Sequence, residues 1–257
     1  MRALVTGAGG RLGRAMALRL AERGHDVAVH FATSREGAEE TAEQVRALGR
    51  RAATLRADLL DEKEIQALLP QAADALGGPV AVLVNNASIF ERDSLATATR
   101  EGWDRHMGIH ARAPFVLTQA LAAQAPEPLP DGNGEPVAQA LVVNVVDQRV
   151  LKLTPEFATY TLSKALLWTL TQTAARALAP KVRVNAIAPG PTLRAPRQTA
   201  AHFAAQRANT VLGRGADPGD VARALDYLLG AKAVTGTLLP VDGGQHLGWR
   251  TPDVVGD

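Results

Sequence analysis

The chain has 257 residues, of which 46% are apolar and 21% are charged, and its formal net charge is +2. This small charge, with no run of five like charges, argues against a dedicated nucleic-acid-binding protein. The sequence has no cysteine, which excludes disulfides, thiolate metal sites and a cysteine nucleophile. No apolar run reaches about 18 residues, and the first residues are strand-like rather than a signal peptide. We therefore expect a cytoplasmic protein with a single domain over residues 1–257, a small-molecule substrate and no bound metal.

Short apolar runs alternate with longer amphipathic stretches along the whole chain. The predicted strands are Arg2–Val5, Val27–Phe31, Ala52–Arg56, Val80–Val84, Ala138–Val145, Val182–Ile187 and Thr237–Val241. The predicted helices are Leu12–Arg23, Glu36–Leu48, Glu62–Leu76, Trp103–Ala123, Ala158–Ala179 and Asp220–Leu229. Continuous apolar strands are typical of parallel sheets that are buried on both faces. The pattern predicts an α/β fold: one doubly wound Rossmann domain with a seven-stranded parallel sheet flanked by helices.

Two segments outside these elements are rich in proline. Pro126–Pro136 is interpreted as a surface loop, because the alternation of strands and helices continues beyond it. The segment 191–209 is polar and basic and follows a predicted strand. Segments in that position often close over a ligand, so we expect residues 191–209 to form a lid over the substrate.

A glycine-rich turn joins the first predicted strand to the first predicted helix. In this position the backbone N–H groups and the helix N-terminus are suited to bind a pyrophosphate, and glycines permit the close approach. A strand before the turn and a helix after it favour a dinucleotide site over an ordinary turn. The residues assigned to this site are Gly7, Gly10, Arg11, Leu12 and Gly13.

The end of the second predicted strand indicates which dinucleotide binds. A site that prefers NAD has an acidic residue about 20 residues past the turn, where it holds the ribose 2′-hydroxyl. This chain has no acid there and offers Thr33, Ser34 and Arg35 instead. With Arg11 they form a candidate site for a 2′-phosphate, which predicts NADPH as the cofactor. An ordinary loop in which Ser34 caps the next helix is compatible with either cofactor.

Tyr160 and Lys164 are four residues apart at the start of a mostly apolar predicted helix, so they share one helix face. Other short motifs follow the predicted strands in order: Asn85-Asn86-Ala87, Pro189-Gly190 and Asp242-Gly243-Gly244. Together with the glycine-rich turn, these motifs make the chain resemble the short-chain dehydrogenase/reductase family over nearly its whole length.

This resemblance implies an NADP(H)-dependent oxidoreductase, usually a homotetramer in this family. Tyr160 would be the acid that protonates the substrate, and Lys164 would hold the nicotinamide ribose and lower the pKa of Tyr160. Asp58 would contact the adenine. The other cofactor contacts that the resemblance implies are Asn85, Asn86, Ala87, Ser88, Pro189 and Gly190.

Two positions depart from the common pattern of the family. Asp147 stands thirteen residues before Tyr160, where the family has a serine, and His110 replaces an asparagine. The second change puts the usual water relay to Lys164 in doubt, although a histidine is also able to pass protons. Because a carboxylate beside Tyr160 disfavours tyrosinate, we expect Tyr160 to stay protonated and Asp147 to help deliver protons.

These departures, together with Arg11, make the chain resemble the pteridine reductase and dihydromonapterin reductase subgroup. There the residue at Ser88 contacts cofactor and substrate, and the aromatic residue at Phe90 stacks on the pterin ring. The leading hypothesis is therefore an NADPH-dependent reductase of a pterin-like C=N substrate. The first alternative is an NADPH-dependent carbonyl reductase acting on a ketone, quinone or sugar. The second alternative is a catalytically silent nucleotide-binding regulatory protein. The intact pair of Tyr160 and Lys164 argues against this alternative.

Overall fold

A computed structural model of the protein describes residues 1–195 and 198–249. The strands are β1 Arg2–Val5, β2 Asp26–Phe31, β3 Ala52–Arg56, β4 Val82–Asn85, β5 Leu129–Pro130, β6 Pro136–Val137, β7 Ala140–Val145, β8 Val182–Pro189 and β9 Leu238–Val241. The helices are α1 Arg11–Glu22, α2 Arg35–Ala47, α3 Glu62–Leu76, α4 Arg100–Met107, α5 Ala113–Gln124, α6 Ala158–Leu178, α7 Ala200–Ala208 and α8 Pro218–Gly230. Seven strands form one parallel sheet flanked by helices, which confirms the predicted fold class.

The strand order of the sheet is β3-β2-β1-β4-β7-β8-β9. The chain therefore builds outward from β1 in one direction and from β4 in the other, and the order reverses between these two strands. In doubly wound sheets, ligands bind in the crevice at this reversal, outside the carboxyl ends of the strands. The glycine-rich turn follows β1 and the Asn86-Ala87 pair follows β4, so both motifs lie at that crevice.

Two hydrophobic clusters hold the helices against the sheet. On one face α1, α2 and α8 contribute buried side chains such as Met16, Val45 and Leu225. On the other face α3, α5 and α6 contribute side chains such as Leu68 and Leu117. Successive strand residues point alternately to the two clusters. This explains why the strands are continuous apolar runs in the sequence.

The single helix predicted over Trp103–Ala123 is divided in the structure. Helix α4 ends at Met107, the five residues Gly108–Arg112 form a π-helical turn, and α5 continues from Ala113. Pro114 provides the physical reason, because a proline has no N–H to donate to the preceding helical turn. The wider turn places His110 inside the protein, where it is 1% exposed.

The loop predicted over Pro126–Pro136 contains a short antiparallel hairpin between β5 and β6. In the segment 191–209, α7 begins after Thr199, whose hydroxyl accepts a hydrogen bond from the His202 N–H. Residues 196–197 of this expected lid lie outside the described residues. Among the described residues, no helix combines the length and apolar character that crossing a membrane requires.

Candidate active site

The glycine-rich turn after β1 is fixed by groups from two neighbouring strands. The Gly7 N–H donates to Nδ1 of His30, on β2, at 3.0 Å. Nε2 of the same imidazole lies 3.0 Å from the carbonyl oxygen of Ala57, past β3. The Thr6 hydroxyl accepts from the Asn86 N–H at 2.9 Å. The turn is therefore held in one conformation before any ligand binds.

The glycines of the turn differ in their surroundings. A Cβ on Gly13 would lie 2.3 Å from the Gly7 carbonyl oxygen, and one on Gly7 would lie 2.9 Å from Cα of Ala87. Packing of the turn therefore requires both glycines. A Cβ on Gly10 would meet no heavy atom within 4 Å, which leaves open space at this position. Helix α1 begins after Gly10 with no capping side chain and no acid in its first turn. Its N–H donors therefore remain open to an anion, and the turn fits the pyrophosphate of a dinucleotide.

The residues predicted to contact a 2′-phosphate lie beside this turn. A Cβ on Gly9 would approach the Ser34 carbonyl oxygen to 2.9 Å, so the start of α2 is in contact with the turn. Cζ of Arg35 lies 5.5 Å from the centre of the Phe31 ring. Within residues 1–195 and 198–249, neither Arg11 nor Arg35 takes part in an ion pair. All four residues of the candidate 2′-phosphate site are exposed, namely Arg11, Thr33, Ser34 and Arg35.

The side chain of Asn85, one of the expected cofactor contacts, is buried within the sheet. It is paired in register with Asn144 of β7, and its amide nitrogen donates to Oδ1 of Asn144 at 2.8 Å. Asn144 in turn donates to the Thr171 hydroxyl of α6 at 2.9 Å. The strand register thus directs the Asn85 amide toward the protein interior, where it connects β4 and β7 to α6. The Asn86 amide donates to the carbonyl oxygens of Thr6 and the following glycine, and so supports the turn.

The other predicted cofactor contacts lie after the carboxyl ends of strands. Asp58 follows β3 and is exposed, and its carboxylate accepts from the Leu60 N–H at 2.9 Å. Pro189 ends β8, and Gly190 is packed so closely that an added Cβ would lie 2.5 Å from Cβ of Asp242. These positions are compatible with the contacts that the family resemblance implies.

The predicted catalytic residues meet at the end of β7. Tyr160 and Lys164 lie on α6 and are both buried. The Tyr160 hydroxyl donates to Oδ2 of Asp147 at 2.9 Å, and Oδ1 accepts from the Arg149 N–H at 2.8 Å. Lys164 Nζ donates to the carbonyl oxygen of Val145 at 2.8 Å. The phenol and the carboxyl group therefore form an acid pair, with the ammonium held near them.

Burial and neighbouring charge perturb all three groups. Burial raises the pKa of the Asp147 carboxyl. Burial, together with the charge and hydrogen bond of Asp147, raises the pKa of Tyr160 well above its ordinary value. Burial lowers the pKa of Lys164 to about 8, against the opposing effect of Asp147. The Tyr160 pKa is not lowered as the resemblance implied, because burial and the direct contact with Asp147 both raise it. Both effects favour the protonated form of Tyr160, in keeping with the expectation drawn from Asp147.

Two aromatic rings form a wall beside the phenol. Phe90 stacks on Phe157 with ring centres 4.4 Å apart and 15° between the ring planes. Phe90 also meets the Tyr160 ring edge-on at 4.6 Å, and 38% of its surface is exposed. Phe157 has a φ of +58° immediately before α6, a conformation that is unusual for a bulky residue. The sequence indicated Phe90 but not Phe157, because no local pattern predicts a positive φ at a phenylalanine.

His110 forms hydrogen bonds with Ser88, Ile89 and Ser163 rather than taking part in a relay to Lys164. Its Nε2 lies 2.9 Å from the Ser88 hydroxyl and accepts from the Ile89 N–H at 3.3 Å, which assigns the proton to Nδ1. Nδ1 lies 2.8 Å from the Ser163 hydroxyl, which donates to the Tyr160 carbonyl oxygen. Burial lowers the pKa of His110 well below its ordinary value, so the ring is neutral. His110 therefore orients Ser88, whose side chain lowers the pKa of Tyr160 against the larger effects of burial and Asp147, rather than bonding the active-site ammonium.

His30 makes the turn sensitive to acid. Burial lowers its pKa from 6.5 to about 4. At pH values between 4 and 6.5 the unfolded chain binds more protons at His30 than the folded chain does. The free energy of unfolding is therefore unaffected by His30 above pH 6.5 and decreases as the pH falls toward 4. The expected loss from His30 between pH 7 and pH 5 is about 2 kcal/mol. Urea denaturation at the two pH values measures it.

The matched control is His25, because burial also lowers its pKa to about 4. His30→Asn and His25→Gln should each reduce the acid-induced loss of stability by a similar amount, about 2 kcal/mol between pH 7 and pH 5. His30→Asn alone should also weaken dinucleotide binding, since only His30 bonds the glycine-rich turn. An unchanged acid sensitivity in His30→Asn would contradict the prediction.

Residues 7–246 match the family model described as enoyl-(acyl carrier protein) reductase. The 3-oxoacyl-[acyl-carrier-protein] reductase FabG of Staphylococcus aureus (strain N315) is 32% identical over 250 residues, which cover 95% of this chain and 98% of FabG. The chain therefore belongs to the short-chain dehydrogenase/reductase family, and it is an oxidoreductase of that family.

Two solved structures resemble this chain along nearly its whole length. FolM alternative dihydrofolate reductase 1 from Brucella suis, in complex with NADP, is 40% identical with a TM-score of 0.91, covering 99% of this chain and 98% of its own. The angucycline C-6 ketoreductase LanV, with bound NADP, is 31% identical with a TM-score of 0.85, covering 96% of both chains. These relatives represent both substrate classes that the sequence suggested.

Proposed function

We propose that this protein is an NADPH-dependent reductase of a flat, pterin-like heterocycle with a reducible C=N bond. The observation that carries the proposal is the buried hydrogen bond between Tyr160 and Asp147 beside the exposed Phe90 ring. An aromatic face suits a flat heterocycle, and a neighbouring acid pair suits the protonation of a ring nitrogen. The similarity to FolM alternative dihydrofolate reductase supports the same substrate class.

NADPH, when bound, supplies the hydride that the substrate carbon accepts. The chain itself contributes the turn and the α1 N-terminus toward the pyrophosphate and Lys164 toward the nicotinamide ribose. Phe90 stacks on the substrate ring, and Ser88, oriented by His110, contacts cofactor and substrate. The Tyr160 hydroxyl holds the proton that the substrate nitrogen takes, and Asp147 is the group that replenishes it. Residues 191–209 would cover the substrate.

Carbonyl reduction is the second candidate. A protonated Tyr160 hydroxyl is by itself able to protonate a ketone oxygen, without help from a carboxyl group. The similarities to FabG and to the LanV ketoreductase support this alternative. The two candidate reactions differ in how much they depend on Asp147. Protonation of a ring nitrogen depends on Asp147 more than protonation of a ketone oxygen does.

Turnover of NADPH with a panel of acceptors tests the proposal. The panel contains dihydropterins, simple ketones and quinones, and the absorbance of NADPH is followed at pH 6 and at pH 7.5. We expect the highest kcat/KM with a dihydropterin. A higher kcat/KM with ketones or quinones would replace the proposal by the carbonyl alternative. Tight NADPH binding without turnover of any acceptor would support the regulatory alternative.

We expect kcat/KM with NADPH to exceed that with NADH. A charged hydrogen bond to a phosphate contributes enough to change affinity about ten- to hundredfold. Arg11→Ala and Arg35→Ala should each raise the KM for NADPH within this range and change that for NADH little. Arg46→Ala, near the far end of α2, is the matched control. An equal or higher kcat/KM of the unmodified protein with NADH would overturn the prediction.

We also propose a homotetramer, in which the helices α4, α5 and α6 and the strand β9 would form two interfaces. Exposed apolar side chains on α5 and α6, namely Phe115, Leu162 and Leu166, support this arrangement. The resemblance to pteridine reductases further implies that residues 247–250 reach the site of a neighbouring subunit, and Arg250 lies outside the described residues. Light scattering at micromolar concentration should give the mass of four chains. A monomeric mass would contradict this proposal.

A further inference from the structure

Arg149 lies at the edge of the aromatic wall. It belongs to the 3-10 turn Gln148–Val150 that follows Asp147, and it is half-buried. Its Cζ is 4.8 Å from the centre of the Phe157 ring and 5.9 Å from that of Phe90. Nη1 donates to the Thr154 hydroxyl at 2.5 Å. Ring contacts and a hydrogen bond therefore fix the guanidinium beside the acid pair.

The guanidinium of Arg149 has no carboxylate partner in the part of the chain that the structure describes. Glu156 pairs with Arg92, and Asp242 pairs with His246. Among the described residues, Nε and Nη2 of Arg149 donate to no protein acceptor. Lys152, three residues further along the chain, also forms no ion pair with a described residue. Among the described residues, this edge of the cleft therefore carries two cations that form no direct ion pair, although the charge of Arg149 also acts on the nearby Asp147.

We propose that Arg149 selects substrates that carry an anionic substituent on the flat ring, and that Lys152 adds to this preference. The inference deepens the proposed function and rests on it for the identity of the ring. Guanidinium groups bind carboxylates through paired, charge-assisted hydrogen bonds, and Arg149 has its Nε and Nη2 donors available. Its contact with Phe90, the expected stacking residue, places these donors next to a bound ring.

The cofactor does not account for this charge. Its pyrophosphate and 2′-phosphate are assigned to the glycine-rich turn and to Arg11 and Arg35, next to β1 and β2. Arg149 lies instead beside Phe90 and Phe157, and its backbone N–H donates to Asp147. The anion that it would bind therefore belongs to the acceptor substrate.

Arg149 also has an electrostatic effect on the acid pair, since its charge lowers the pKa values of Asp147 and Tyr160 against the larger effect of burial. That effect would change the rate with every acceptor that the enzyme reduces. Selection of an anionic substituent would change the rate only with acceptors that carry one. The ratio of the kcat/KM values for two substrates that share the same ring, only one of which carries an anionic substituent, therefore separates the two roles.

The test compares dihydrofolate, whose tail ends in a glutamate, with dihydrobiopterin, whose tail is uncharged. We expect the unmodified enzyme to have the higher kcat/KM for dihydrofolate. Arg149→Met should lower the ratio of the two kcat/KM values about ten- to hundredfold, mainly through the KM for dihydrofolate. Arg149→Lys, which keeps the charge, should retain most of the ratio. Lys152→Met, at an exposed position, should lower it about two- to threefold.

A ratio that Arg149→Met leaves unchanged would overturn the inference, even if both rates fall together. A preference of the unmodified enzyme for dihydrobiopterin would overturn it as well. If neither dihydropterin is reduced, the proposed function fails, and para-formylbenzoate and its uncharged methyl ester replace the pair. Selection of the charged aldehyde, lost in Arg149→Met, would then support the inference without the pterin. Equal rates with both aldehydes would overturn it.

Discussion

Replacing Tyr160 by phenylalanine should lower kcat about a hundredfold or more with every acceptor, because general acid catalysis contributes about 10² to 10⁴ to such rates. The substitution removes the hydroxyl that donates to Asp147 and that would protonate the substrate, while the ring keeps its contact with Phe90. Initial rates of NADPH oxidation with a dihydropterin and with a ketone measure the effect. The Kd for NADPH, from fluorescence titration, should change little.

Tyr227 provides the matched control, since the chain has only two tyrosines. It lies on α8 with 56% of its surface exposed. Tyr227→Phe should therefore keep the full rate with both acceptors. A Tyr160→Phe variant with more than about a tenth of the normal rate would show that another group supplies the proton.

Much of the fold and part of the site could be predicted from the sequence because both depend on local patterns. Buried parallel strands produce continuous apolar runs, and the glycine-rich turn has a fixed place between the first strand and the first helix. Tyr160 and Lys164 share a helix face because they are four residues apart. Asp147 was identified by its distance along the chain from Tyr160, and in the structure the two side chains are hydrogen-bonded.

The roles of other residues depend on contacts that no local pattern contains. Asn85 has the sequence context of a cofactor residue, but the register of β4 with β7 places its amide against Asn144. No sequence pattern indicates a role for His30, whereas its ring fixes the glycine-rich turn from the neighbouring strand. Pro114, by contrast, is a local signal that is visible in the sequence. Because proline has no backbone N–H, it indicates that the helix predicted over Trp103–Ala123 is interrupted.

The pH dependence of the reaction should depend on Asp147. The groups facing its carboxyl are the Tyr160 hydroxyl, the Arg149 guanidinium and the Lys164 ammonium, and burial raises its pKa in spite of both cations. Because protonated Asp147 is the form that delivers a proton, dihydropterin reduction should rise as pH falls from about 8 toward about 5. Rates must be taken where circular dichroism reports a folded protein, since His30 and His25 weaken the fold in acid.

Asp147→Ser should flatten this pH profile and lower dihydropterin reduction at pH 6 about ten- to hundredfold, within the usual range for a proton-transferring group. Ketone reduction should change about threefold or less, because the Tyr160 hydroxyl remains able to protonate a carbonyl oxygen. Asp147→Asn keeps the shape of the side chain without its acidity, so it should share the flat profile. If Asp147→Asn retains the pH-dependent rise, another group supplies the proton. If Asp147→Ser lowers ketone and dihydropterin rates equally, Asp147 serves mainly to hold Tyr160, and the pterin assignment loses its principal chemical support.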